Sequence, residues 1–194
     1  MNVGRPTEFD RQEALEKSME LFWKNGYEAT SLAALIEEMG IGRQSLYNAF
    51  GDKHKLFIEA AEHYINSNGQ HLVDAFKAPG SPLGNIRKAM EQTVDFLTSG
   101  ECSGCLVTNS IVELAPHDDE VRELVHGVVN RVEKTIKSTL DRAVEEGELS
   151  PDSDTRAIAR FLNCTVHGLV VMHKASASRA VLKDVVKIAL TALT

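Results

Sequence analysis

Cysteine is scarce in this chain: three among 194 residues, an odd number, which fits a reducing compartment better than a disulfide framework. No stretch reaches the roughly 18 consecutive apolar residues of a membrane span, and the opening MNVGRPTEFD has no apolar signal region. A cytoplasmic protein without membrane association is therefore expected. Phosphate loops, nucleophile elbows and the metal-binding His-Glu-x-x-His pattern are also missing, so neither an enzyme nor a cofactor is expected. Nor is there an excess of positive charge, since 21 Lys and Arg face 28 Asp and Glu for a net −7. That balance disfavours a protein that coats nucleic acid through charge alone.

What is present is a periodic helical pattern with one distinctive segment, residues 30–57, TSLAALIEEMGIGRQSLYNAFGDKHKLF. Leu32, Leu35, Ile36 and Met39 recur at i, i+3, i+4 and i+7 and paint one apolar stripe on a helix of about two turns. Thr30 or Ser31 can cap its start, and Gly40 can end it in a left-handed conformation. In the next short helix only Leu46 and Phe50 share an apolar face, with Ala49 beside them, which leaves Arg43, Gln44, Ser45, Tyr47 and Asn48 pointing outward. Gly51 closes this helix, and Asp52 caps another that begins at Lys53. A lysine in a first turn opposes the helix dipole, yet with the open N–H groups there it makes a site suited to a DNA phosphate. An exposed face of guanidinium, amide, hydroxyl and phenol suits a major groove, where Arg pairs with guanine and Gln or Asn with adenine. The competing reading is a plain helical hairpin with a solvated polar face; the glycine turn, short second helix and lysine start, occurring in order, favour the DNA reading.

Over residues 11–60 the chain resembles the TetR/AcrR family of bacterial transcriptional regulators. The resemblance is carried by Gly26-Tyr27, Thr30, Gly40, Leu46-Tyr47, Phe50 and Lys53. It implies that Arg43, Gln44 and Ser45 face base edges, while Thr30, Ser31, Tyr47, Asn48 and Lys53 hold phosphates. Many members have Ser where this chain has Gly42, Gly in place of Gln44, and an aromatic residue or His in place of Ala49. The first and third departures each remove a backbone contact and Gln44 adds a base-reading side chain, so the operator sequence cannot be borrowed from relatives. Gly42 is retained among the expected DNA-binding positions.

The preceding helix fits the same module: Asp10 with Glu13 resembles a capping box, Leu15, Met19 and Phe22 form its apolar stripe, and Gly26 sits where a C-terminal cap belongs. Ahead of it, Arg5 in Gly4-Arg5-Pro6 is either an arm entering the minor groove or a solvated residue of a frayed terminus. Residues 1–55 hold seven Lys and Arg against nine Asp and Glu, net −2, leaving −5 for the rest. Arg5, Arg43, Lys53 and Lys55 nevertheless gather around the reading element, whereas Glu13, Glu16 and Glu20 belong to the first helix. A specific complex with weak background binding is expected.

Beyond residue 70 the clearest break is KAPGSPLGN at residues 77–85. Helices are expected over 83–99, in a short piece ending at Pro116, and over 118–146, where Val121, Val125, Val128, Val132, Ile136, Leu140 and Ala143 step by threes and fours. Residues 155–173 and 179–193 are apolar over more than one face, so they are expected to pack on the core and on their copies in a homodimer; an internal hairpin in a monomer is the alternative. The expected fold is all-α, an N-terminal three-helix helix-turn-helix domain over residues 1–55 plus a C-terminal helical ligand-binding and dimerisation domain over residues 56–194.

The resemblance implies a ligand cavity in the second domain, and a small-molecule inducer that shifts the reading heads off operator DNA. Phe96, Val107, Ile111, Phe161, Cys164 and Met172 are candidate walls, with Asn109, Glu113, Asn163 and His167 as polar anchors; each also fits ordinary core. Cys102 and Cys105 suggest a second idea, a thiolate sensor at a helix start, though Glu101 opposes a lowered thiol pKa. No second Cys pair follows and the histidines are scattered, so no metal site is expected. The alternatives to a ligand-released repressor are thus a redox sensor acting through Cys105 or, in another class, a helical interaction module or enzyme.

Overall fold

The computed structural model describes residues 9–100 and 104–193, and among them every regular element is helical. Among the described residues nine α-helices follow one another: α1 (Arg11–Asn25), α2 (Leu32–Met39), α3 (Arg43–Phe50), α4 (Lys53–Lys77), α5 (Pro82–Leu97), α6 (Leu106–Glu113), α7 (Asp119–Glu145), α8 (Thr155–Lys174) and α9 (Arg179–Ala189), the last continuing into a 3₁₀ turn at Leu190–Leu193.

Local chemistry sets the boundaries. The Asp10 carboxylate accepts from the amides of Gln12 and Glu13 and caps α1. The second half of the expected capping box is absent, because the Glu13 carboxylate pairs with Lys17 at 2.6 Å instead. Ser31, not Thr30, caps α2 by accepting from Ala34 N. Gly40 ends α2 at φ 67°, ψ 27°, a left-handed conformation that costs glycine least. Gly51, after α3, is also at positive φ, and a Cβ there would sit 2.9 Å from Lys55 Cδ. In the later helices Ser81, Asp118, Asp154 and Ser178 each cap α5, α7, α8 and α9 in turn.

The chain forms two compact units, Met1–Tyr64 and Ile65–Thr194, which divide inside α4. In the first, Phe22 of α1 is fully buried and meets Phe57 edge-on at 5.1 Å between ring centroids, while Tyr27 stacks on Phe22 and meets Phe57 at 5.0 Å. Leu35, Leu46, Phe50, Leu56 and Ala60 close the core around them. Leu56, Phe57, Ala60 and Tyr64 lie beyond residue 55 yet belong to this unit, so its compact boundary falls nine residues after the expected one.

The second unit is built on one continuous core. Ile86, Met90, Val94 and Leu97 of α5 join Ile136 and Leu140 of α7, Leu162 and Leu169 of α8, and Leu182 and Val186 of α9. Glu148, in the turn after α7, accepts from the Ser81 hydroxyl and from Leu83 N, which ties that turn to the start of α5.

Candidate nucleic-acid interface

The second helix of the motif, α3, is only eight residues long, and two side chains hold it to the first unit's core: Leu46 and Phe50, both buried. Their four-residue spacing turns the opposite surface outward, so Arg43, Gln44, Tyr47 and Asn48 are exposed and Ser45 is half-buried. Tyr47 stands 41% exposed, a large aromatic left in solvent on a helix with ample core beneath it. Gly42 caps the start with no side-chain hydrogen bond, which leaves the first-turn amides available to an anion. Gln44 Nε2 donates to Asn48 Oδ1 at 3.0 Å one turn away.

The C-terminal end of the reading helix and the start of the helix that follows it are braced by residues outside α3. Arg11 of α1 lays its guanidinium 4.5 Å from the Phe50 ring centroid and donates to the Ala49 carbonyl at 3.3 Å. Its Nη2 also faces both carboxylate oxygens of Glu59 in α4, at 2.7 and 3.0 Å. One side chain thus links α1, the last turn of α3 and α4, and places a cation where the α3 dipole is negative. At the start of α4, Lys53 Nζ lies 4.1 Å from the Tyr27 ring centroid. The ring holds the ammonium near the helix start without neutralising its charge, so it can still meet a phosphate. Sequence pattern alone gives Arg11 no role, and Tyr27 none beyond its place in the family pattern. The aromatic after Gly26 and the arginine opening α1 were the visible traces of both.

The remaining expected positions divide. Ser31 is exposed at the α2 start with its Oγ accepting from Ala34 N. Thr30 is turned inward, 1% exposed, and its hydroxyl donates to the Gly26 carbonyl at 2.6 Å. That hydroxyl secures the turn between α1 and α2 and is turned away from solvent. Arg5 and Cys102 lie outside the described residues.

In the second unit Val107 is buried, Asn109, Ile111, Glu113 and His167 are half-buried, and Asn163 is buried. Thr108 and His167 share a 2.9 Å hydrogen bond between α6 and α8, and burial holds the His167 pKa below its ordinary value. Asn163 Nδ2 donates to the Val129 carbonyl of α7 at 3.1 Å. Asn163 Oδ1 and Asn109 Nδ2 are both shielded from solvent with no hydrogen-bond partner. Phe96, Phe161, Cys164 and Met172, by contrast, face outward. Cys105 is half-buried at the start of α6 and makes no capping bond. Among the described residues no group of three His, Cys, Asp or Glu is placed to hold a metal ion, and no helix is long and apolar enough to cross a membrane.

Comparison with known proteins agrees with this arrangement. Residues 14–60 match the family described as bacterial regulatory proteins, tetR family, and residues 82–189 match the tetracyclin repressor-like C-terminal domain. The uncharacterized HTH-type transcriptional regulator YezE of Bacillus subtilis (strain 168) is 35% identical over 193 residues, covering 98% of this chain and all of its own. The HTH-type transcriptional repressor ComR of Escherichia coli (strain K12) is 33% identical over 90% of this chain and 84% of its own. Among solved structures, a cysteine mutant of the TetR family regulator CifR complexed with 26 bp double-strand operator DNA superposes with a TM-score of 0.87. It is 35% identical and covers 97% of this chain and 98% of its own. This chain belongs to the TetR family, and it is a DNA-binding transcriptional regulator, not an enzyme.

Proposed function

We propose that the protein is a cytoplasmic, homodimeric repressor whose N-terminal helices hold operator DNA and whose C-terminal helices release it on binding a small molecule. The observation that carries the DNA half is the outward face of α3, where Arg43, Gln44, Tyr47 and Asn48 are exposed on a helix anchored by Leu46 and Phe50 and braced at its C-terminal end by Arg11. Arg43 and Gln44, nearest the helix start, face base edges. Tyr47, Ser31, Lys53 and the amides after Gly42 take phosphates, and Ser45, half-buried, borders the groove.

Dimerisation is supported by the second unit's outer surface. On α8 Phe161, Val171 and Met172 are exposed, and on α9 Val181, Val185 and Ile188 fall at i, i+4 and i+7 on one exposed face. Large apolar side chains at that spacing are an interface signature. A two-fold dimer burying them presents two α3 helices to half-sites about 34 Å apart. The inducer half is supported by the unpartnered amide atoms of Asn109 and Asn163 beside the His167–Thr108 pair, polar anchors inside an apolar unit. Release follows if the inducer binds a wide-spaced state more tightly than the DNA-fitting state, by that differential affinity and no more.

The test is a salt series of binding to the duplex upstream of its own gene, with unrelated duplex as competitor. Preference for one site with affinity falling steeply in salt is expected. Equal binding to competitor, followed by failure of an unbiased selection from random duplexes, overturns the reading.

A further inference from the structure

The two amides on the exposed face of α3 are joined: Gln44 Nε2 donates to Asn48 Oδ1 at 3.0 Å, and among the described residues neither side chain is held by anything else. A glutamine amide has two N–H donors and one carbonyl acceptor. With one N–H committed to Asn48, Gln44 is left with a single N–H and its carbonyl oxygen, side by side in one plane. That donor–acceptor pair complements the major-groove edge of adenine, whose N7 accepts and whose 6-amino group donates. It mismatches guanine, which offers two acceptors, and cytosine, which offers a donor only.

Resting on the reading of α3 given above, we propose that Gln44 reads one adenine in each half-site and that Asn48 is its positioning residue, not a phosphate ligand. Position along the helix supports this division of roles, because Gln44 is the second residue of α3 and Asn48 the sixth, and recognition helices present their N-terminal residues to base edges. Both side chains are uncharged. Their contribution is therefore to sequence preference and leaves the salt dependence of binding unchanged, unlike that of Arg43 or Lys53. The i,i+4 bond also holds the Gln44 amide in one rotamer before DNA arrives, which removes part of the ordering cost of a long, flexible side chain.

The experiment uses the intact chain and a duplex selected from a random pool. Each adenine is replaced in turn by purine, which lacks the 6-amino group, or by 7-deazaadenine, which lacks N7, and binding is followed by fluorescence anisotropy. At one position per half-site both analogues are expected to weaken wild-type binding, with discrimination against the other bases of roughly 5- to 150-fold. In Gln44→Ala both penalties vanish at that position. Asn48→Ala shrinks the same two penalties, whereas Asn48→Asp, which keeps the accepting oxygen, lowers affinity for all duplexes but retains the analogue profile. A uniform loss with Asn48→Ala across all sequences makes it a phosphate ligand and overturns the proposal. Analogue penalties unchanged by Gln44→Ala, alongside binding that still requires Arg43 and Tyr47, overturn it while leaving the DNA reading intact. Selection of no site by the wild-type chain overturns both.

Discussion

The two units distribute polarity in opposite ways. The first packs an aromatic cluster around the buried Phe22 and Phe57, with Tyr27 half-buried beside them, and displays polar side chains, and the buried hydroxyls of Ser18 and Thr30 both donate to nearby carbonyls. The second displays apolar side chains along α8 and α9 and keeps polar ones inside, including amide atoms with no partner at Asn109 and Asn163. A buried polar atom without a partner is costly, and so is a wide apolar surface in water. The first unit is thus complete as a single chain, whereas the second carries two incomplete surfaces. On the function proposed, each is completed by something a single chain lacks: a second copy outside, a ligand inside.

The largest effect expected from breaking this contrast is in the aromatic core. Phe22→Ala removes a fully buried ring at a cost of about 3–5 kcal/mol, a large share of the 5–15 kcal/mol stability typical of a native protein. Hydrogen exchange should accelerate across α1–α3 and DNA binding should be lost, while α5–α9 stay protected and the oligomeric state is unchanged. Equal deprotection of both units would show that they do not fold as separate bodies.

Next in size is the outer apolar face. Val185→Asp with Ile188→Asp places carboxylates where a dry interface is proposed, and an unpaired buried charge costs enough to weaken a dimer on the order of 100-fold or more. Sedimentation should show a monomer with unchanged helix content, and operator affinity should fall as the second half-site is lost. A variant that stays dimeric would place the interface elsewhere.

Much of this contrast was readable in the residues, and the exceptions share a cause. The stripe Leu32, Leu35, Ile36 and Met39, the lone anchors Leu46 and Phe50, and the stop glycines Gly40 and Gly51 are local signals, and each element they predicted is present. Whether Thr30 or Ser31 capped α2 stayed open because both hydroxyls fit; burial of Thr30 against Gly26 decides it. The bracing roles of Arg11 and Tyr27 join residues 26 to 48 positions apart, beyond the reach of any periodicity. In α8 the apolar perimeter is so wide that period alone could not say which residues face inward. Period alone therefore groups Phe161, Cys164 and Met172 with cavity walls, although all three face outward.

A smaller change separates positioning from reading on the first unit's outer face. Arg43→Ala should cost about 1–3 kcal/mol on the preferred duplex and relax selection at one base pair. Lys53→Ala should weaken all duplexes alike and lower the salt slope by about one phosphate contact. Anisotropy titrations at several salt concentrations distinguish the two, and identical behaviour of both variants would deny α3 a base-reading role.

The smallest effect sharpens the comparison at the second unit's polar interior. Burial between α6 and α8 holds the His167 pKa below its ordinary 6.5, so the folded chain takes up that proton less readily than the unfolded chain. Stability from this residue is therefore complete above about pH 6.5 and is lost as pH falls below it. His167→Gln keeps a hydrogen-bonding partner for Thr108 but cannot titrate, so its thermal midpoint should fall less than that of the wild type between pH 7 and pH 5. Parallel profiles would mean that the imidazolium is accommodated where it stands, and the interior would then accept a charged inducer; a shallower profile in the variant restricts the inducer to uncharged or hydrogen-bonding groups at that position.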